Sequence, residues 1–159
     1  MSAYPKILVP IDGSRTSSRG LIEAIKLAKD QGATLRLVHV LDELVLGPGA
    51  EAVVYLDATV DRLRAMGKQL VADGERTARE SGLKAESVIL EILGGRAADA
   101  IVAEAGRWGA DLIVLGTHGR RGARRLVMGS DAEEIVRTAP MPVLLVRSES
   151  GNRNSRKPR

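Results

Sequence analysis

The sequence predicts a single α/β domain in which helices cover both faces of an open parallel sheet. Two observations predict it: short, almost wholly apolar runs recur along the chain, and segments with a helical apolar period separate them. With 159 residues, 44% of them hydrophobic, the chain can bury one core of ordinary size. We therefore expect one domain over residues 1–147 and a disordered basic tail at 148–159.

Five apolar runs are predicted to be strands. The first, KILVPID, ends at the turn signal Gly13-Ser14, and the others are similarly short and bounded by turn residues. The five runs lie at 6–12, 35–41, 85–92, 111–115 and 142–147. Because helical segments separate them, the strands are expected to pair in parallel, with right-handed crossovers.

Four segments are predicted to be helices because their apolar residues fall on one helical stripe. They lie at about 16–31, 58–81, 97–108 and 130–138. Ser14 or Thr16 can cap the first helix and Gly32 can end it, while Gly82 can end the second. Residues 42–57 show no clear period and are interpreted as a long connection of unknown role.

Several side chains are predicted to have packing roles. Ile135 and Val136 are expected to point inward from the last helix, and Trp108 to pack against a helix. His39 lies within an apolar strand, where a buried or strand-end histidine is more common than a ligand-binding one.

Composition excludes several classes of protein. The chain has no cysteine, which excludes disulfides, thiolate nucleophiles and Cys-ligated metals. No apolar run approaches the ~18 residues of a membrane span, and the first residues do not resemble a secretory signal. These features predict a cytoplasmic protein with no membrane partner.

The net charge of +4 is a weak indication of nucleic-acid binding. Four of the basic residues lie in the last eight positions, NRNSRKPR, and without them the chain is near neutral. The aromatic residues are Tyr4, Tyr55 and Trp108, too few for a base-stacking surface. Nucleic acid is therefore an unlikely partner.

A glycine-rich segment, LGTHGRRGARRLVMGSDAEEIV, follows the fourth predicted strand and leads into the last helix. Gly116, Gly119 and Gly129 could let backbone amides approach an anion or adopt positive φ, and Ser130 could cap the helix and bind phosphate oxygens. The segment matches neither the Walker A loop nor the dinucleotide pattern G-x-G-x-x-G. On the residues alone, a mobile surface loop and a phosphate cradle are about equally plausible interpretations.

Asp12, at the end of the first strand, also has two interpretations. An Asp before Gly-Ser commonly forms a turn with its own backbone. Ligands of open parallel sheets, however, bind beyond the carboxyl ends of the strands, where the winding reverses. If the first and fourth strands are neighbours, Asp12 and Gly116 open onto one crevice.

Three segments carry a resemblance to the universal stress protein family. They are ILVPIDGS near the start, and ADLIVLGTHGRRG and MGSDAEEIVRTAPMPVLLVR near the end. The glycines match that family's G-2x-G-9x-G-(S/T) nucleotide motif, and the likeness spans residues 6–147. The resemblance implies a five-stranded parallel sheet in the order 3-2-1-4-5, a homodimer joined through the last strand and, in members with the glycine motif, bound ATP. We expect Mg²⁺ to accompany the nucleotide.

The resemblance also implies a set of nucleotide-binding residues. They are Pro10, Ile11, Asp12, Val40, Leu115, Gly116, His118, Gly119, Gly129, Ser130, Asp131 and Ala132. By analogy with the family, the first three line the adenosine, Asp12 accepts hydrogen bonds from it, and Val40 packs near the adenine. Leu115 and Gly116 lie under the ribose and α-phosphate, and His118 and Gly119 follow the phosphates. The last four residues present amides to the β- and γ-phosphates, together with the Ser130 hydroxyl.

Asp131 departs from the family pattern, in which an uncharged residue is frequent at this position. A carboxylate within ~6 Å of a phosphate lowers affinity unless a cation lies between them. Asp131 either stabilises the helix N-terminus from outside the site or helps to hold Mg²⁺. The loop arginines Arg120, Arg121, Arg124 and Arg125 could fold over the phosphates, but a basic loop is more often solvated, so at most one or two are expected to touch phosphate.

The sequence thus predicts an ATP-binding module with a regulatory or protective role in the stress response. No residue is an evident general base for attacking water, so no catalytic residue is assigned and at most slow ATP hydrolysis is expected. The alternatives are an enzyme that transfers an adenylyl group or hydrolyses ATP, and, less favoured, a nucleic-acid-binding protein.

Overall fold

Strands and helices alternate along the chain in the order that the apolar pattern predicts. The computed structural model describes residues 2–43, 53–117 and 128–147, with the backbone alone described at 53–58. The strands are β1 (Lys6–Pro10), β2 (Thr34–Asp42), β3 (Ala85–Ile92), β4 (Leu112–Gly116) and β5 (Val143–Val146). The helices are α1 (Arg15–Gln31), α2 (Val53–Glu80), α3 (Ala97–Trp108) and α4 (Ser130–Thr138). None of these helices is both long enough and apolar enough to cross a bilayer.

The five strands form one parallel sheet in the order β3-β2-β1-β4-β5. This is the order that the family resemblance implies. β1 is central and pairs with β2 from Lys6 to Pro10, and with β4 at Ile7 and Leu8. The winding direction reverses at β1, which places the expected ligand crevice beyond its carboxyl end.

Two apolar layers hold the helices against the sheet. On one face, Ala24 and Ala28 of α1 and Val71 of α2 pack against alternate residues of the strands. On the other face, Ile101 of α3 and Ile135 of α4 pack against the remaining strand side chains. The central strands are buried on both faces, which explains why their sequences are almost continuously apolar.

The helix ends follow the predicted capping residues in α1 and α2. Ser14 is the N-cap of α1, where its hydroxyl accepts a hydrogen bond from the Ser17 amide at 3.1 Å. Gly32, with φ of +64°, ends α1, and Gly82, with φ of +84°, follows the end of α2. Both glycines adopt the left-handed conformation that a β-carbon disfavours.

The prediction that residues 42–57 are all connection was wrong, because α2 already begins at Val53. Residues 53–56 are β-branched, aromatic and leucine, which gave no helical period. The lower helix propensity of Val53, Val54 and Tyr55 costs only tenths of a kcal/mol each. Extending a helix that has already nucleated adds one hydrogen bond for each ordered residue, which offsets that cost.

Two predictions about α4 were also wrong. Val136 is 44% exposed whereas its neighbour Ile135 is buried. Adjacent helical residues lie about 100° apart, so a short amphipathic helix buries only one of such a pair. Ser130 is not the cap either: Gly129 is the N-cap, with φ of −60°, and no side chain caps this helix among the described residues.

Candidate functional site

The carboxyl ends of β1, β2 and β4 lie side by side at one edge of the sheet. Pro10 ends β1, Val40 lies near the end of β2, and Gly116 ends β4. The amide of Gly129 donates to the carbonyl of Thr117 at 2.8 Å, which brings the N-terminus of α4 to the same edge. The predicted residues of the described ranges therefore come together at one edge of the sheet.

The turn that follows β1 is held by Asp12. Its Oδ1 accepts a hydrogen bond from the Ser14 amide at 2.8 Å, and its own amide donates to the Ser17 hydroxyl at 3.1 Å. Gly13 between them has φ of +79°. The turn-forming interpretation of Asp12 is therefore confirmed. A carboxylate has about four acceptor positions, so this bond leaves it capacity to accept others.

Just after β1, a side chain takes the place of a backbone group in the pairing of β1 with β2. The Ile11 amide still donates to the Val38 carbonyl at 2.8 Å. The Ile11 carbonyl, in contrast, is 2.9 Å from Nδ1 of His39. His39 is only 6% exposed, which confirms the core position predicted for it. The sequence did not reveal this bond, because it depends on the register between two strands distant in the chain.

Gly116 is required for the close packing of β4 against α1, independently of any ligand. A β-carbon there would lie 2.5 Å from the Thr16 carbonyl oxygen and 2.6 Å from its carbon, both in the backbone of α1. Gly116 and Gly129 do not have positive φ. Of the two uses expected for these glycines, positive φ is therefore not the one found here, and close backbone approach is the use that remains.

The first turn of α4 presents donors to the crevice edge. The first amide to bond within the helix is that of Glu133, which donates to Gly129 at 3.0 Å. The amides of Ser130, Asp131 and Ala132 precede it and so lack an intrahelical acceptor. Ser130 and Asp131 are exposed, whereas Ala132 packs into the core. The amide of Gly129 already donates to the Thr117 carbonyl, so it is less available to a ligand than predicted.

His118 and Gly119 lie outside the described residues, as do the four loop arginines and the tail from residue 148. Their predicted roles stay predictions.

Arg64, on α2, forms ion pairs with acidic side chains near the carboxyl ends of β2 and β3. Arg64 bonds both carboxylate oxygens of Glu91, at 2.7 and 3.1 Å, and also reaches Glu43 and Asp61. The bonds from Arg64 lower the pKa of Glu91, and the same partners raise the pKa of Arg64. Across the described ranges, no cluster of three or more potential metal-binding side chains is found. The sequence pattern did not single out this group.

Comparison with known families gives a direct match. The model of the universal stress protein family matches residues 3–147.

The chain belongs to the universal stress protein family.

A universal stress protein of Methanocaldococcus jannaschii is 34% identical over 146 residues, which is 91% of this chain and 82% of that protein. A solved structure of a family member from Burkholderia pseudomallei is 32% identical, covers 93% and 99% of the two chains, and superposes with a TM-score of 0.73.

Two other solved universal stress proteins that share the fold contain adenine nucleotides. One, from Archaeoglobus fulgidus, is in complex with dAMP; it is 24% identical, with 91% and 98% of the chains covered and a TM-score of 0.62. The other is in complex with cAMP; it is also 24% identical, with 92% and 98% covered and a TM-score of 0.65.

Proposed function

We propose that this universal stress protein binds an adenine nucleotide, ATP with Mg²⁺, in the crevice beyond β1, β2 and β4. The observation that carries the proposal is the meeting of two kinds of backbone donor at one edge of the sheet. One is the end of β2 at Val40, whose amide makes no backbone hydrogen bond to β1 among the described residues. The other is the first turn of α4, whose first amides lack an intrahelical acceptor. The nucleotides held by two structural relatives support it.

The adenosine would occupy the β1–β2 side of the crevice. Ile11 is buried and Pro10 and Val40 are half-buried, so together they offer an apolar floor for a planar base. Asp12 lies beside them with its carboxylate oriented by the Ser14 amide. It would accept hydrogen bonds from the ribose hydroxyls, which are donors as well as acceptors.

The phosphates would extend from Leu115 and Gly116 toward α4. The first-turn amides of Ser130, Asp131 and Ala132 and the positive end of the helix dipole favour an anion there. The Ser130 hydroxyl is exposed and adds a further donor. We expect His118, Gly119 and one or two of the loop arginines to complete this side.

Mg²⁺ would enter with the nucleotide, since this ion prefers one or two carboxylates together with phosphate oxygens and water. Asp131 is exposed in the first turn of α4, which also contains Glu133. This position fits both roles open to it, as a partner of the helix dipole or as a ligand of phosphate-bound Mg²⁺.

The consequence of binding would be regulatory or protective, with at most slow hydrolysis of ATP. A nucleotide that binds only the folded chain stabilises it and can bias loops at the sheet edge. Such a module could couple cellular nucleotide levels to a partner without turnover.

We also propose that two copies associate through β5. This strand pairs only with β4 within the described sheet, and its other edge is open to another chain. Leu144 is 41% exposed there, and Val143 and Leu145 are half-buried. An apolar edge of this kind favours a homodimer.

The site is tested by following backbone amide resonances of nitrogen-labelled protein while ATP and Mg²⁺ are added. We expect shifts at Ile11, Asp12, Val40 and the first turn of α4. GTP at the same concentration is the ligand control and should cause smaller shifts at Val40. Shifts confined to another surface, such as the groove between β3 and α3, would contradict the proposed site.

A further inference from the structure

The carboxyl end of the β1–β2 ladder holds an arrangement in which a side chain replaces a backbone donor. In a parallel ladder, a residue whose backbone groups face the partner strand forms two hydrogen bonds with it. Its N–H donates to the carbonyl of one partner residue, and its carbonyl accepts from the amide two positions further along the partner strand. Ile11 donates to the Val38 carbonyl at 2.8 Å. A regular continuation would have the Val40 amide donate to the Ile11 carbonyl.

His39 takes that acceptor instead. Its Nδ1 lies 2.9 Å from the Ile11 carbonyl oxygen, and since a carbonyl only accepts, Nδ1 carries the hydrogen. Ile11 is 5% exposed, so its carbonyl needs a partner inside the protein. The imidazole supplies that partner, and the described ladder stops at Pro10 and Val38.

The displaced amide is left facing the crevice. The backbone groups of Val38 and Val40 point to the β1 side of β2, whereas those of His39 and Leu41 point to β3. Within the described residues, no backbone hydrogen bond joins the Val40 amide to β1. The N–H and C=O of Val40 therefore present a donor beside an acceptor at the end of the sheet.

This pair matches the Watson–Crick edge of adenine, where the acceptor N1 lies beside the donor N6 amino group. Guanine presents a donor at N1 and an acceptor at O6, the reverse arrangement. We propose that His39 is a positioning residue that ends the β1–β2 ladder early and so keeps the Val40 backbone open for an adenine base. This inference rests on the nucleotide-binding function proposed above.

Gly67 on α2 makes room for the imidazole. A β-carbon at Gly67 would lie 2.8 Å from Cδ2 and 3.2 Å from Nε2 of His39. Such a contact is too short, so an added methyl group would push the ring away from the Ile11 carbonyl. Gly74, two turns further along α2, offers a matched position: its β-carbon would meet Leu37 Cδ1 at 2.7 Å and does not reach His39. Its distance of 3.5 Å to Ile11 Cδ1 is an ordinary van der Waals contact, so Ile11 need not move.

The first test needs no ligand and compares amide hydrogen exchange at Val40 among variants by NMR. In the wild-type protein we expect Val40 to exchange faster than Leu41, whose amide faces β3. In His39→Leu the freed Ile11 carbonyl should capture the Val40 amide and slow its exchange at least tenfold. His39→Asn keeps a side-chain N–H where Nδ1 was and should restore fast exchange.

The second test measures ATP affinity by calorimetry on the same proteins. His39→Leu should weaken ATP binding about tenfold, as the loss of one base-pairing hydrogen bond does, and His39→Asn should recover most of it. Gly67→Ala should weaken binding similarly, whereas Gly74→Ala should leave it unchanged even if both variants unfold more easily.

The two tests separate this inference from the proposed function. Equal Val40 exchange in the wild type and His39→Leu would overturn the positioning role, whether or not ATP binds. Wild-type binding that persists undiminished in His39→Leu would overturn it too, and leave the function intact. If the wild type binds no ATP while exchange responds as expected, the proposed function fails and the ladder-ending role of His39 remains.

Discussion

Gly116 shows how much one residue determines at this sheet edge. Its Cα faces the backbone of α1, with the Thr16 carbonyl oxygen 2.5 Å from where a β-carbon would lie. A backbone atom cannot swing away as a side chain can. We expect Gly116→Ala to lower the free energy of unfolding by roughly 1–3 kcal/mol, the usual cost of overpacking. Urea unfolding measures this change.

Gly106→Ala is the control for that substitution. Gly106 lies in α3, where an added β-carbon meets no atom within 4 Å. Alanine favours a helix interior over glycine, so this variant should be as stable as the wild type or up to ~1 kcal/mol more stable. A Gly116→Ala variant as stable as Gly106→Ala would contradict the close approach of α1 and β4.

The sequence alone was least informative about the contacts that individual residues make. Asp12 and Gly116 were identified from their places at strand ends, which hydrophobic runs locate well. The bond from the Ser14 amide to Asp12 is local, and the Asp-Gly-Ser turn signal predicted it. The close approach of Gly116 to Thr16 depends on how α1 crosses β4, which no short motif encodes. The bond from His39 to Ile11 likewise depends on strand register, so the sequence could place His39 in the core but not assign its partner.

At the scale of elements, a buried charge pair links β2 to α3. Nη1 of Arg36 lies 2.6 Å from Oε1 of Glu104, whose side chain is 2% exposed. Arg107 also bonds Glu104, and the Arg36 guanidinium stacks 4.8 Å from the Trp108 ring centre. Trp108 thus has the packing role expected of it and also makes a cation–π contact with Arg36.

We expect Glu104→Gln to destabilise the fold by about 3 kcal/mol, the lower end of the range for a broken buried pair, since Arg36 retains Glu86. Trp108 is the single tryptophan, so its fluorescence reports the unfolding directly. Glu23→Gln, in an exposed pair with Lys26, is the matched control and should change stability by less than ~1 kcal/mol. Similar losses in both variants would contradict a buried pair.

The Arg64 cluster predicts a pH effect with a definite sign. Hydrogen bonds from Arg64 lower the pKa of Glu91 below its ordinary value. The stabilisation from this pair is therefore present at neutral pH and is lost as the pH falls through the lowered pKa. In Arg64→Met, the Glu91 pKa should return toward 4.5. A carbon-detected NMR titration measures it, and an unchanged Glu91 pKa would refute the pairing.

At the scale of the whole molecule, the alternation of apolar runs and helical segments was sufficient to predict the element order. It could not give the strand order, which came from the family resemblance and agrees with the observed sheet. The start of α2 was missed because residues 53–56 have strand-like side chains, and only their attachment to a long helix makes them helical. The local sequence pattern thus locates most of the helices and strands, whereas the pairing of strands that are distant in the chain determines which residues meet at the site.

The proposed dimer is a prediction about the whole molecule. Leu144→Arg places a charge on the open edge of β5 and should convert dimers to monomers in sedimentation velocity experiments. Met66→Arg is a control with similar exposure, on α2, which packs against β2 and β3 at the other end of the sheet; it should leave the dimer intact. A wild-type protein that sediments as a monomer at all concentrations would contradict the dimer.

Binding of an adenine nucleotide can be measured by calorimetric titration of nucleotide-free protein with ATP and Mg²⁺. We expect saturable heat with one nucleotide per chain, a dissociation constant on the order of micromolar, and weaker binding of GTP. Folded protein that gives no heat with ATP at millimolar concentration, and carries no nucleotide when freshly purified, would contradict it.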